Sequence, residues 1–327
     1  GLECAVFSAI KGNPTGTNID AGVEAYCSGM HDGVIAFGGG SALDAGKAVA
    51  LMAWQDRPIW DFEDIGDNWT RVREEGIAPV VAVPTTAGTG SEVGRAAIIT
   101  DEQQQMKKII FHPAMLPQRV ILDPELTIGL PPDITAATGM DALSHNLEAL
   151  CATAFHPMAD GIALEGIRRV KNALPQAVAR PDDLDARMDM LVASTMGATA
   201  FQKGLGAMHA LAHPLGALYD AHHGLLNAIL MPYVLMANRE AITASLGRAS
   251  SYLDLQAGTF DAFLDWVLEL RGSIGIPSSL GDIGIGDEQQ QRVGQMAAAD
   301  PSAAGNPVPL SAKEYQALFA RAVAGVL

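Results

Sequence analysis

What this sequence lacks narrows its function quickly. No stretch approaches the roughly 20 consecutive apolar residues that a membrane-spanning helix needs. No basic run is present, and 21 Lys and Arg face 37 Asp and Glu, for a formal net charge of −16. A chain this acidic argues against nucleic acid or an anionic membrane as a partner. Cysteine is scarce: Cys4, Cys27 and Cys151 are an odd number, with neither metal-like nor redox spacing. We read them as reduced, structural thiols of a cytoplasmic protein. No signal peptide stands at the start. There is also no initiator Met, and residues 2–8 read as the middle of a pattern, so further residues are expected upstream. Internal repeats and low-complexity tracts are missing too.

What is present suggests two domains. At 327 residues the length is typical of two, and 49% apolar content is ample for two cores. The first third alternates short apolar strands with helices. Residues 33–37 and 79–83 carry buried-strand signals, and 41–54 has helical periodicity. Residues 96–100 and 108–111 suit a hairpin around the polar 101–105, and 119–123 reads as a further strand. This pattern predicts an α/β layer with a mostly parallel sheet. After Pro131-Pro132 helical patterns dominate, broken at His156-Pro157, Arg180-Pro181, His213-Pro214 and Ile276-Pro277. We therefore expect an α/β dinucleotide-binding domain over 1–130 and an all-α metal and substrate domain over 131–327. The stretch 297–309, rich in Gly, Pro, Ser and Ala, reads as a surface loop.

The helical half holds a metal-like constellation. Asp141 and His145 are four apart in a helical segment, which puts both on one face. His209 and His213 repeat that spacing, and His222 and His223 follow in a polar turn. Five of the eight histidines lie in these segments. One carboxylate with three imidazoles suits Fe²⁺ or Zn²⁺ and leaves a position open for substrate. Position alone does not choose between His222 and His223. A single histidine on an apolar helix is more often a core residue than a ligand; His31, at a helix-to-strand junction, and His112 and His156, before prolines, are read as structural. Met188, Met190, Met196 and Met208 read as core filling. Lys203 either faces the site, attracting an anionic substrate, or is a solvated helix-surface lysine.

The first half holds two donor-rich loops. Gly38, Gly39, Gly40 and Ser41 follow a strand and open a helix. Glycines let a backbone approach phosphate, and a helix N-terminus offers free N–H groups. The loop matches neither the Gly-x-Gly-x-x-Gly fingerprint nor a Walker A motif, so a plain strand-to-helix turn is the competing reading. A second loop, residues 84–92, carries Thr85, Thr86, Thr89 and Ser91, again directly after a strand. Alone it could be a polar turn capping a helix. Two such loops at strand ends suit a dinucleotide at a sheet crevice.

Together these segments resemble the iron-containing (group III) alcohol dehydrogenase family. The matching stretches are residues 38–41 with Asp44 and Lys47, 84–93, 123–127, 139–145, 204–216 and 223–228. The family's fold resembles that of dehydroquinate synthase, with its site in the cleft between an α/β domain and a helical domain. The resemblance implies Asp141, His145, His209 and His223 as metal ligands, with His213 beside the metal as the proton-relaying catalytic residue. It also implies that the turn from Gly38 through Gly39, Gly40 and Ser41 holds a diphosphate. Thr85, Thr86, Thr89 and Ser91 would line nicotinamide and ribose, with Asp44 near the nicotinamide. Lys107 would contact ribose, with Lys108 as its adjacent alternative. Asn13-Pro14-Thr15 matches an element near the adenosine side. The family normally carries further strands before Cys4, including the residue that selects NAD or NADP, so that preference is left open.

The implied activity is reversible hydride transfer between a small alcohol and its aldehyde or ketone. It would use Fe²⁺ or Zn²⁺ with NAD or NADP, in a homodimer by default. Alternatives on the same scaffold are a hydroxyacid–oxoacid transhydrogenase, a metal-dependent lyase, and a non-catalytic metal or nucleotide sensor.

Overall fold

The computed structural model describes residues 3–104 and 106–327. Leu2, in the opening pattern, and Gln105, in the expected hairpin turn, lie outside the described residues. The chain forms two compact units. One comprises Gly1–Thr86 and Gly90–Leu126; the other comprises Ala87–Thr89 and Thr127–Leu327.

The first unit is α/β. It contains α1 (Gly16–Ser28), β1 (Val34–Gly38), α2 (Gly40–Met52), β2 (Val80–Pro84), β3 (Ala96–Asp101), β4 (Met106–Phe111) and β5 (Arg119–Val120). Thr15 and Asn18 form a reciprocal capping box that starts α1. Strands β1, β2 and β5 make a parallel sheet in that order, and β3 and β4 form a separate antiparallel hairpin. Leu43, Ala48 and Leu51 of α2 share one core with Ala36, Val80 and Ala82 of the sheet and Ile99 and Ile110 of the hairpin. The β1–β2 register ends at Gly38 opposite Pro84, so both donor-rich loops leave the same C-terminal end of the parallel strands.

Two expectations need correction here. The strand read over 119–123 shortens to two residues. The run 33–37 is not buried on both faces. Ala36 is covered, whereas Ile35 and Phe37 are 52% and 56% exposed. Successive strand residues point to opposite faces, and α2 covers only the Ala36 face.

The second unit is helical. It contains α3 (Pro132–Cys151), α4 (Pro157–Ala179), α5 (Leu184–Ala200), α6 (Ala207–Tyr219), α7 (His223–Ala237), α8 (Arg239–Tyr252), α9 (Phe260–Ser273), α10 (Gln290–Ala299) and α11 (Ala312–Ala324). Helix α3 is buried around nearly its whole circumference from Thr135 to Leu150 and packs on α4, α5 and α7. Such a helix must satisfy every polar side chain it carries inside the protein. Among the described residues no helix is long and apolar enough to cross a membrane.

Three more expectations change. Helix α6 runs straight through His213-Pro214, its flanking Leu211 and Leu215 fully buried. The stretch 297–309 is not a plain surface loop. It contains the end of α10 and a short turn over Pro301–Gly305. Its Asn306 is buried, accepting from the N–H of Ala207 and exchanging amide hydrogen bonds with Asn238. Lys203 fits neither earlier reading: its side chain is 3% exposed and paired with Asp160 at 2.7 Å. Burying one charge requires a partner, and Asp160 supplies it.

Candidate active site

The polar residues of α3 explain how the site forms. Asp141, His145 and Glu148 lie at i, i+4 and i+7, on one helix face. Asn146 and Ser144 turn elsewhere: Ser144 Oγ and Asn146 Nδ2 donate to backbone carbonyls, while Asn146 Oδ1 is buried without a hydrogen-bond partner. His145 Nδ1 lies 3.2 Å from the Gly88 carbonyl oxygen, which leaves Nε2 free. Glu148 accepts from the N–H groups of Gly206 and Met208 at 2.8 and 2.7 Å and lies 2.7 Å from His209 Nδ1.

Asp141, His145, His209 and His223 each offer one ligand atom, and all four atoms lie within 4.8 Å of one another. The first three residues are buried, and the His223 side chain is a quarter exposed. The His145 and His209 rings stack at 4.7 Å. Asn227, one turn after His223, sits against the group. Its Nδ2 is 2.9 Å from Asp141 Oδ1 and 3.2 Å from Nε2 of both His209 and His223. Its Oδ1 is buried without a hydrogen-bond partner. Three ligand lone pairs thus converge on one electropositive hydrogen-bonding group. That convergence, with an oxygen–nitrogen donor set, fits a divalent transition metal. His222 is an exposed N-cap of α7 that accepts from the Leu225 N–H, outside this cluster.

Electrostatics follow from burial. Burial pushes the Glu148 carboxyl up to about 7, against the lowering pull of the Gly206 and Met208 N–H groups. Burial, and next the neighbouring His145, hold His209 well below the usual histidine range. A neutral imidazole is the form a metal requires.

His213 stands beside this group. Its ring stacks on His223 at 5.4 Å, and its side chain is 20% exposed. Its Nδ1 lies 2.8 Å from Asp300 Oδ2. Burial alone would raise the Asp300 carboxyl, but the hydrogen bonds from His213 and Ser302 outweigh it and keep the group acidic.

The nucleotide-loop residues gather in the α/β unit. Gly38 has φ +142°, a conformation that favours glycine, and its carbonyl accepts from Thr85 N–H. A Cβ on Gly39 would lie 3.3 Å from the Thr86 side chain. Helix α2 begins at Gly40 with no side-chain cap. Its first N–H groups are therefore available to an anion, and the bare glycine backbone leaves room for one. These features fit a diphosphate. Lys107 donates to Asn13 Oδ1 at 2.8 Å, and Asn13 N–H donates to Ser41 Oγ, so Lys107, Asn13 and Ser41 meet. Lys108 is instead buried against Asp101 and Glu63.

Asp44 is more constrained than its motif suggested. It accepts from Ser91 Oγ at 2.5 Å and from the Ile98 N–H, and it pairs with buried Lys47. Thr85 and Thr86 belong to the α/β unit, whereas Thr89 belongs to the 87–89 segment of the helical unit.

Sequence reasoning missed Glu148, Asn227, Asp300 and Gly88. Glu148 was detectable, because its spacing extends the Asp141–His145 face. Asn227 is at i+4 from His223 and was detectable in the same way. Asp300 and Gly88 have no local signal that separates them from ordinary loop residues.

Comparison with known proteins shows the family. Residues 1–124 match the family model for iron-containing alcohol dehydrogenase, and residues 135–323 match that for the C-terminal part of the Fe-containing alcohol dehydrogenase family. A 4-hydroxybutyrate dehydrogenase of Cupriavidus necator is 40% identical over 98% of this chain and 85% of its own length. A 1,3-propanediol dehydrogenase of Klebsiella pneumoniae is 36% identical, over 98% and 84%. Among solved structures, a 1,3-propanediol oxidoreductase superposes with a TM-score of 0.93 at 34% identity, covering 97% of this chain and 84% of its own. Sulfoacetaldehyde reductase from Bifidobacterium kashiwanohense in complex with NAD⁺ gives 0.89 at 30% identity, covering 98% and 84%.

Proposed function

The chain belongs to the iron-containing alcohol dehydrogenase family, and on that premise we propose that it is a metal-dependent, nicotinamide-linked enzyme interconverting a small alcohol or diol with its carbonyl form. One observation carries the reading: a carboxylate and three imidazoles from α3, α6 and α7 whose ligand atoms lie within 4.8 Å. The relatives named for 4-hydroxybutyrate and 1,3-propanediol both act on short chains bearing a hydroxyl and a second polar group. That favours the same class here.

A divalent ion held by Asp141, His145, His209 and His223 would supply Lewis acidity toward an alcohol or carbonyl oxygen, and a nicotinamide nucleotide would take or return the hydride. The chain's own residues do the rest. Gly88 and Glu148 fix the rings of His145 and His209 through Nδ1. Asp300 holds His213 through Nδ1, leaving Nε2 to take or give a proton. The uncapped start of α2, with Ser41, would hold the diphosphate.

The test is reconstitution with Fe²⁺ or Zn²⁺, followed by elemental analysis and a screen of short alcohols, diols and 2- or 4-hydroxyacids with both NAD and NADP. We expect one metal per chain and nicotinamide reduction with an alcohol or diol. Full metal loading without reduction of either nucleotide would overturn the reading. Exchange between a hydroxyacid and an oxoacid without free nucleotide would replace it with transhydrogenation.

A further inference from the structure

We propose that Glu148 is a positioning residue that presents His209 to the metal by capping, with one carboxylate, both the start of α6 and the His209 ring. This rests on the reading of Asp141, His145, His209 and His223 as metal ligands.

Helix α6 starts at Ala207, and its N-cap is Gly206, which has no side chain to satisfy the first N–H groups. Outside groups serve instead. Glu148 takes the N–H groups of Gly206 and Met208, and Asn306 takes that of Ala207. Glu148 Oε2 also lies 2.7 Å from Nδ1 of His209, the third residue of the helix. In its ionised form Glu148 can only accept, so Nδ1 then carries the proton and the Nε2 lone pair is left for a metal. That Nε2 and the Asp141 carboxylate share Asn227 Nδ2 as neighbour, so the ring already points at the other ligands. Helix α3 therefore carries two ligands and the group that orients a third.

Gly206 is part of the same device. A Cβ there would lie 2.9 Å from Glu148 Oε1 and 3.0 Å from Asn306 Oδ1. Any side chain would push the carboxylate away from α6 without altering a ligand.

Two roles must be separated. A mere helix cap stabilises the fold whether or not metal is present. A positioning residue also changes metal affinity and coordination geometry. The experiment uses full-length wild type, Glu148→Ala, Glu148→Gln and Gly206→Ala, stripped of metal and titrated with Co²⁺ against a chelator. The visible Co²⁺ spectrum and the melting temperature of the metal-free protein are recorded in parallel. Loss of a ligand-orienting partner typically weakens metal binding by about 10–100-fold, and we expect that range for Glu148→Ala, with an altered spectrum.

Glu148→Gln should fall between Ala and wild type. Its amide oxygen can still accept from His209 Nδ1, but its NH₂ then faces the Met208 N–H. Gly206→Ala should weaken Co²⁺ in the same direction. Unchanged Co²⁺ affinity and spectrum in Glu148→Ala, with only a lower metal-free melting temperature, would overturn the proposal and leave a helix cap. If Glu148→Ala does not fold, unchanged affinity in both Glu148→Gln and Gly206→Ala overturns it equally. Failure of wild type itself to bind Co²⁺ would instead overturn the metal reading on which the proposal stands.

Discussion

His209 and His213 are one turn apart on α6, yet their partners give them different parts. His209 is 1% exposed, tied to Glu148 and directed at Asp141 and Asn227. His213 is partly open to solvent and tied to Asp300. Sequence spacing alone could not divide the two roles, because an i, i+4 pair shares a face. If His213 relays the proton, His213→Ala should retain the metal by elemental analysis and lose turnover by about 10²–10⁴-fold, the usual span for a positioned acid–base group. Loss of metal together with turnover would make His213 a ligand and sink the division. Lys203 teaches the converse lesson at this scale. Position near a histidine motif leaves a lysine open to two readings, substrate anchor or solvated surface residue, and its buried pairing with Asp160 instead uses its charge inside the helical unit.

At the scale of elements, the β3–β4 hairpin shows how a turn is secured. Asp101 Oδ1 accepts from the N–H groups of Gln103 and Gln104, and Oδ2 pairs with buried Lys108 at 3.0 Å. Burial alone would raise the Asp101 carboxyl, but these hydrogen bonds outweigh it and hold the group below the usual range. A depressed acid stabilises the fold above its unfolded pKa of about 3.9 and loses that contribution as pH falls through its folded value. Asp101→Asn should therefore cost roughly 1–3 kcal/mol at pH 7, the scale of hydrogen bonds to a buried charge. Urea unfolding should show the gap between variant and wild type shrinking below about pH 4. A gap that stays constant with pH would show that the carboxylate's charge is irrelevant to the turn.

At the scale of the whole molecule, each compact unit carries its own candidate ligand. The metal ligands all lie in the helical unit, and the glycine turn lies in the α/β unit. A ligand that binds only the folded state stabilises it by about 2.7 kcal/mol at a hundred times its dissociation constant. For a unit of this size that corresponds to roughly 5–10 °C in melting temperature. Calorimetry should show such a rise on adding Zn²⁺ to stripped protein, and a separate rise on adding NAD(H) or NADP(H). Gly39→Val places a branched side chain where a Cβ already meets Thr86. It should abolish the nucleotide-induced rise and leave the Zn²⁺-induced rise intact. Equal nucleotide stabilisation in the variant would show that the glycines serve only the turn.

Period and punctuation carried much of this protein's organisation. Alternating apolar runs marked the parallel strands and the hairpin, and 3.6-residue patterns marked the helices. The i, i+4 spacing marked Asp141 with His145. These are local properties, set by backbone geometry within a few residues, so a sequence can show them. Tertiary structure decided what is long-range. It set His223 against Asp141, His145 and His209 and left its neighbour His222 exposed as a helix cap, a separation that position alone did not give. It brought Asp300 to His213 across 87 residues and Glu148 to His209 across 61. It also carried Gly88 to His145 and sent Lys203 and Lys108 into buried ion pairs. Partnerships of this kind arise because a buried polar group must find its complement wherever the packed chain places one, and no local pattern in sequence encodes that distance.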